Sequence, residues 1–509
     1  MLIYDTLSRI KKPFLPRKHG QVQMFVCGPT VYDDPHIGHG RSYVCFDVVA
    51  KYLKFLGYNV TFNINVTDID DKVIKRAQEE GVEYGVIAER YASAFDDALR
   101  DLGVDSISGQ YWATDCISEI IYQIGELERK GFTYMLEDGL YFDLAKFPEN
   151  GKLSGQIGRG LEQSEVSRIG DRNDKRNPGD FVLWKLEKPG EREVGAVWDK
   201  NPETGEPISW GPGRPGWHIE DTAITDTCFG PQYDIHGGGV DLVFPHHEAE
   251  ICQMEAASGE SPLVNYWMHN GHLMIDAHKM SKSLKNFMTI EEAMDRWGPY
   301  ALRYFFISAH YRSALNFTDE ALDGAVAAVE RLNNFILTMK QWAEKGPEPT
   351  PLGYEIAELS HIGRETFTEN FYHVENLCVQ IRRDFSRAMD NDFNVSGALA
   401  VLHMWIGSLN KRLKEEQQTG KGRGCNMEVF SRFDAALILE TLHSIDNVLG
   451  VMNFDVEVDV EIAKMVEERE QMRNEKRWAE ADTLRNQIND LGYSLDDTPT
   501  GTIIRKEEK

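Results

Sequence analysis

The chain has 509 residues, room for two to four domains at about 100–200 residues each. Its 41% hydrophobic and 27% charged residues mark a globular protein and exclude a disordered one. Asp and Glu outnumber Lys and Arg by 82 to 55, a net charge of −27, which excludes a uniformly basic nucleic-acid coat while allowing a local basic patch. No run of about 18 apolar residues exists to span a membrane, and the first residues lack the apolar core of a signal peptide. Seven cysteines without a CxxC pair suit a reducing cytoplasm better than a disulfide framework.

In chain order, Val22, Met24 and Val26 alternate, predicting a strand over 21–28. A loop rich in Gly and Pro runs to Gly40. Val44, Val48, Val49, Tyr52, Leu53 and Leu56 then recur at helical spacing, with Gly57 placed to close the helix. Val60, Phe62, Ile64 and Val66 predict a second strand. This is a βαβ unit, and an open parallel sheet binds ligand at the carboxyl end of such a strand. Cys27 and the quartet His36-Ile37-Gly38-His39 fall there. Two imidazoles at a helix N-terminus suit a phosphate that gains charge, and Gly38 and Gly40 let backbone approach a bulky ligand.

Farther on, the stretch 187–209 is dense in Gly and Pro, and the sequence offers no account of its length. His236 precedes Gly237, Gly238 and Gly239, a pattern that reads as a glycine-rich loop. His246 and Glu250 are spaced i, i+4, so one helical face presents both to a cation. Lys279-Met280-Ser281-Lys282-Ser283 is a short polar loop whose lysines suit a clamp over a triphosphate. Ala321, Ala325, Ala328, Val329 and Leu332 mark a helix face, PEPTP at 347–351 a linker, and 355–455 a helical bundle. Residues 460–490 read as one or two amphipathic helices. Lys411, Arg412, Lys414, Lys421 and Arg423 form the best basic cluster for an RNA backbone. A solvated helix end explains that cluster equally well.

HIGH at 36–39 with KMSKS at 279–283 resembles the paired signature of class I aminoacyl-tRNA synthetases. The stretches at 24–49, 62–77, 213–220, 234–253, 266–287 and 478–502 narrow the resemblance to the cysteinyl-tRNA synthetase family, nearly end to end. It implies an α/β fold with a Rossmann-type parallel-sheet catalytic domain in two halves, 1–115 and 226–345. A connective insertion at 116–225 would separate them, and a helical bundle at 355–455 and an anticodon-binding module at 460–509 would follow. The implied activity joins L-cysteine to tRNA(Cys), using ATP with Mg2+, in a cytoplasmic monomer. By resemblance, His36 and His39 stabilise the phosphates, while Lys279 and Lys282 hold the departing pyrophosphate. Gly38, Gly237, Gly238 and Lys282 join His36 and His39 in binding ATP. Cys27, Gly28, Thr67 and Trp217 border the substrate cysteine.

The family binds Zn2+ through two cysteines, a histidine and a glutamate. Here the set is expected to be Cys27, Asp221, His246 and Glu250, because Asp221 stands where the second cysteine is usual. Aspartate is a competent zinc ligand. Cys228 is the alternative fourth donor, and a weak or absent zinc is a third option, since one thiolate fewer makes the site harder and less zinc-selective. Two competing readings are a mycothiol-pathway cysteine ligase, which residues 460–502 disfavour, and a binding-only relative, for which Asp221 is the one supporting feature.

Overall fold

The apolar strand Gln21–Val26 lies at the middle of a five-stranded sheet. Its neighbours are Asn59–Val66 and then Gly109–Trp112 on one side, Tyr233–Gly239 and then Val264–Asn270 on the other. All four pairings are parallel. Both faces are covered, which is why Met24, Phe25, Val26, Phe62 and Ile64 are all buried with little alternation between faces. The chain first builds outward from Gln21–Val26 toward Gly109–Trp112 and later returns to its other edge. The crevice beyond the carboxyl ends of Gln21–Val26 and Tyr233–Gly239 is therefore the switch point where ligands bind in such sheets.

The computed structural model describes residues 1–156, 174–275, 278–279, 287–346, 374–419, 430–498 and 501–506. The chain divides into two units. The first comprises Met1–Pro299, Ala309–Thr318 and Asp390–Phe393, and the second comprises Tyr300–Ser308, Asp319–Met389 and Asn394–Lys509. The linker expected at 347–351 lies outside the described residues.

Within the first unit, the helix Ile37–Phe55 follows the central strand, and Gly57 beyond its end adopts φ +91°, a left-handed turn that favours glycine. Between the sheet halves, Thr133–Leu136, Gly139–Phe142, Phe181–Leu186 and Gly213–Pro215 form an antiparallel sheet in that order. Phe142, Leu183 and Trp184 pack with Ile120 and Ile124 of the helix Ile117–Arg129 and with Ala223 of the helix Ile219–Phe229.

The structure gives the long stretch at 187–209 a physical role. Its Val194 and Ala196 are buried in a core with Val31, Ile69, Ile74 and Ile87. Buried Arg214 bonds Glu191 at 2.9 Å and Asp71 at 2.6 Å, pinning the loop to the start of the helix Asp71–Glu80.

Asp390–Phe393 also belongs to this unit. Leu2 N–H donates to Asp390 O at 2.8 Å, and Asp392 N–H donates to Leu2 O at 2.9 Å. The fully buried Asp392 carboxylate accepts from Tyr4 N–H (2.8 Å), Tyr311 O–H (2.9 Å) and the Arg312 guanidinium (2.6 and 3.0 Å).

The second unit contains the helices Asp319–Lys345, Val374–Met389, Val395–Thr419 and Arg432–Leu449. It ends in the helices Val460–Asn474 and Trp478–Asp490 and an antiparallel hairpin, Tyr493–Thr498 with Gly501–Lys506. Ile462, Val466, Ile488, Leu495 and Ile504 form a small core there. Gln341 fixes the hairpin by accepting from Ile504 N–H at 2.8 Å and donating to its carbonyl at 2.9 Å. Lys411 and Arg412 lie on Val395–Thr419, and Lys421 and Arg423 lie outside the described residues. No described helix is long and apolar enough to cross a membrane.

Candidate active site and metal centre

The switch-point crevice holds a buried cluster of donors. Cys27 directly follows the central strand, and its Sγ lies 3.1 Å from Asp221 Oδ2 and 3.8 Å from Glu250 Oε1. His246 Nε2 is 3.0 Å from the same Asp221 oxygen and 3.2 Å from Glu250 Oε1. The helix proper starts at Glu248, and His246 belongs to the preceding wide turn Val243–His247. The two side chains still converge. Asp221 Oδ1 is buried and has no hydrogen-bond partner among the described residues, an acceptor that a bound cation would satisfy.

Sequence reasoning places His236 in a glycine-rich loop. In the structure Tyr233–Gly239 is a strand, and His236 turns its side chain into the cluster, with Nε2 3.3 Å from Cys27 Sγ. His247 does the same at 3.0 Å. Two sets of four donors therefore overlap, each with its ligand atoms within 4.8 Å of one another: Cys27, Asp221, His246, Glu250 and Cys27, His236, His247, Glu250. Cys228 bonds Tyr111 at the far end of Ile219–Phe229 and belongs to neither set.

Electrostatics in this pocket favour a cation. Burial, then the charges of Asp221 and Glu250, push the Cys27 thiol well above its ordinary range. Burial, then Asp221, also raises Glu250. Burial keeps His236 and His247 well below the usual imidazole range, so both are neutral, as metal ligands must be.

Around the cluster, the Trp217 ring stacks on His246 with centroids 4.2 Å apart and is 37% exposed, an aromatic wall with one open side. Thr67 O–H donates to Glu220 at 2.9 Å and accepts from Asn65 Nδ2 at 3.2 Å, while Asn65 Oδ1 accepts from Gly28 N–H. A Cβ on Gly28 would lie 1.5 Å from the Asn65 carbonyl oxygen, so only glycine lets the chain after Cys27 run against the neighbouring strand.

At the helix N-terminus, His36 is the cap. Its Nδ1 accepts from His39 N–H at 3.2 Å, His39 Nδ1 accepts from His36 N–H at 3.4 Å, and the rings stack at 3.7 Å. Burial lowers His36 to about 4, and burial, then neighbouring His36, lowers His39 well below the usual imidazole range. Neutral rings that accept at Nδ1 carry their proton on Nε2, so both present a fixed N–H donor. Gly38 lies in the same first turn. Lys279 is on the short strand His278–Lys279, and Lys282 lies outside the described residues.

Residues 13–327 match the family model "tRNA synthetases class I (C) catalytic domain", and 384–453 match the DALR domain. Curated cysteine–tRNA ligases are similar along the whole chain. That of Methylococcus capsulatus is 40% identical over 99% of both chains, and that of Thermoplasma volcanium is 37% identical over 100% of both. The chain belongs to the cysteine–tRNA ligase family. Among solved structures, methionyl-tRNA synthetase of Mycobacterium tuberculosis superposes with TM-score 0.58 at 15% identity, covering 84% of this chain and 92% of that one. That likeness concerns the fold alone.

Against this family, the readings that sequence reasoning missed are His247, the inward turn of His236, and Glu220. The doublet His246-His247 was the available signal for the first, since neighbours in a widened turn can both reach a donor cluster. Glu220 adjoins Asp221 but carries no motif of its own.

Proposed function

We propose that this chain activates cysteine with ATP and transfers it to the 3′ end of tRNA(Cys), releasing AMP and pyrophosphate. The observation that carries the reading is a buried thiol–imidazole–carboxylate cluster at the switch point of the sheet, with the paired histidines capping the helix that follows the same central strand. The cluster fits the family's Zn2+: Cys27, Asp221, His246 and Glu250 would hold it. Zinc there supplies a Lewis acid that favours a thiolate over a serine hydroxyl, so shape alone need not discriminate.

The protein groups position and stabilise. Trp217 walls the amino-acid pocket, and the Gly28–Asn65–Thr67–Glu220 chain of hydrogen bonds orients the Thr67 hydroxyl beside it. The substrate carboxylate attacks the α-phosphorus of ATP, which arrives with Mg2+. Nε2–H of His36 and of His39 donate to phosphate oxygens as charge develops. Gly38, Gly237 and Gly238 admit the nucleotide, and Lys279 and Lys282 hold the leaving pyrophosphate. The terminal ribose hydroxyl of the RNA then attacks the carbonyl carbon of the adenylate and displaces AMP. The insertion at 116–225 and the module at 460–509 take the connective and anticodon-binding roles. By resemblance to its family, the chain would act as a cytoplasmic monomer.

The test is cysteine-dependent ATP–pyrophosphate exchange with serine as control, followed by charging of tRNA(Cys). Strong exchange with cysteine alone, then charging, is expected. Absence of exchange in folded, zinc-supplied protein would overturn the reading in favour of a binding-only relative.

A further inference from the structure

The set containing Asp221 and His246 leaves two histidines unused in the same pocket. His236 and His247 are fully buried, with Nε2 atoms 3.3 and 3.0 Å from Cys27 Sγ. Glu250 faces both: Oε2 is 3.5 Å from His236 Nε2, and Oε1 is 3.9 Å from His247 Nε2. Tetrahedral donors at zinc bond lengths of about 2.0–2.3 Å stand roughly 3.3–3.7 Å apart, close to these separations.

The far nitrogens of both rings are supported. His247 Nδ1 lies 2.8 Å from His269 Nε2, and His269 Nδ1 lies 2.8 Å from Thr6 Oγ1. With each Nδ1–H donating outward along this line, His247 Nε2 keeps its lone pair for the pocket. His236 Nδ1 is 2.5 Å from the Tyr233 hydroxyl, and donation to that oxygen frees its Nε2 likewise. Outer hydrogen bonds of this kind fix the tautomer of metal-binding histidines.

We propose that His236 and His247 are a second donor pair, giving a divalent ion bound by Cys27 and Glu250 an inner position beside the outer one with Asp221 and His246. The inference deepens the metal reading above and rests on it. Two considerations favour the inner position in a chain with Asp221. One thiolate, two imidazoles and one carboxylate suit zinc or cobalt better than a set with two carboxylates. The inner set also brings two negative charges to a dication where the outer brings three, which matters in a pocket closed to water.

The test uses the full-length chain, stripped of metal and then loaded with Zn2+ or Co2+. X-ray absorption of the zinc form counts imidazoles by their outer-shell scattering. Cobalt affinity is read from the thiolate-to-cobalt charge-transfer band. More than one imidazole per zinc is expected in the wild type. Asp221→Ala should bind one cobalt per chain within 10-fold of the wild-type affinity, and adding His247→Ala should lower affinity by a further 10–100-fold, about what a misplaced metal contact costs. A wild-type count of one overturns the proposal whatever the variants do. So does a loss beyond 100-fold in folded Asp221→Ala. If that variant does not fold, the wild-type count alone decides. Pyrophosphate exchange by the wild type is measured separately, so failure of the inner position and failure of the ligase reading are distinguishable.

Discussion

A thiol packed against two carboxylates without a compensating cation holds its proton tightly, and Cys27 is in that position. Residue 221 decides how much sulfur the ion sees. Asp221→Cys is expected to draw the ion outward, roughly doubling the cobalt charge-transfer absorbance per ion and raising the cysteine-to-serine exchange ratio. An unchanged band would show residue 221 to be outside the coordination shell. The paired histidines make a second prediction. With His36 lowered to about 4 and His39 also lowered, neither ring titrates between pH 5.5 and 8. The rate of pyrophosphate exchange should therefore show no step from them in that window, since a raised proton concentration there leaves both neutral. A rate that rises with protonation near pH 6.5 would mean that imidazolium ions do the work.

At the scale of elements, the segment Asp390–Phe393 is held against its own preference. Asp392 and Phe393 adopt φ of +65° and +51°, a left-handed conformation that costs a residue with a side chain. The bonds to the Asp392 carboxylate offset that cost. Asp392→Ala, which removes the acceptor of Tyr4 N–H, Tyr311 O–H and the Arg312 guanidinium, should destabilise the first unit by about 2–3 kcal/mol, read as a shifted denaturant midpoint. Asp392→Asn, which keeps the tolerance for positive φ, should cost less. Equal losses would show that the charge, which both variants remove, carries the whole effect and that tolerance for positive φ adds nothing there.

The sequence made some elements legible and hid others for physical reasons. Val22, Met24 and Val26, then the helical spacing to Leu56 and the stop at Gly57, announce the βαβ unit because local pattern and burial coincide. Cys27, Asp221, His246 and Glu250 were legible through family position. The structure brings them together from the end of a strand, the starts of two helices and a wide turn. No spacing rule could reveal that His236 faces inward, since its triple glycine dominates the pattern. The buried roles of Val194 and Ala196 were equally hidden, because isolated apolar residues in a Gly- and Pro-rich stretch have no period.

For the whole molecule, a cation that binds only the folded cluster is linked to global stability. Zinc at about 100 times its dissociation constant should add about 2.7 kcal/mol to the first unit. That gain appears as a raised unfolding temperature and is reversed by a chelator. A melting curve indifferent to zinc would show that the cluster does not bind the ion in the folded state.

The N-terminal strand Leu2–Asp5 pairs locally with Ile10–Pro13 and is bonded as well to a segment that the chain supplies far downstream, Asp390–Phe393. During synthesis the catalytic unit is otherwise spelled out by Thr318, yet about 75 residues more must leave the ribosome before its N-terminal hairpin gains this contact. At about 5–20 residues per second, that wait is roughly 4–15 s. Through that interval the nascent chain carries a nearly finished catalytic unit whose N-terminal hairpin still lacks its downstream contact, and a ribosome stalled within it would present a different substrate to proteases from one stalled just after Phe393.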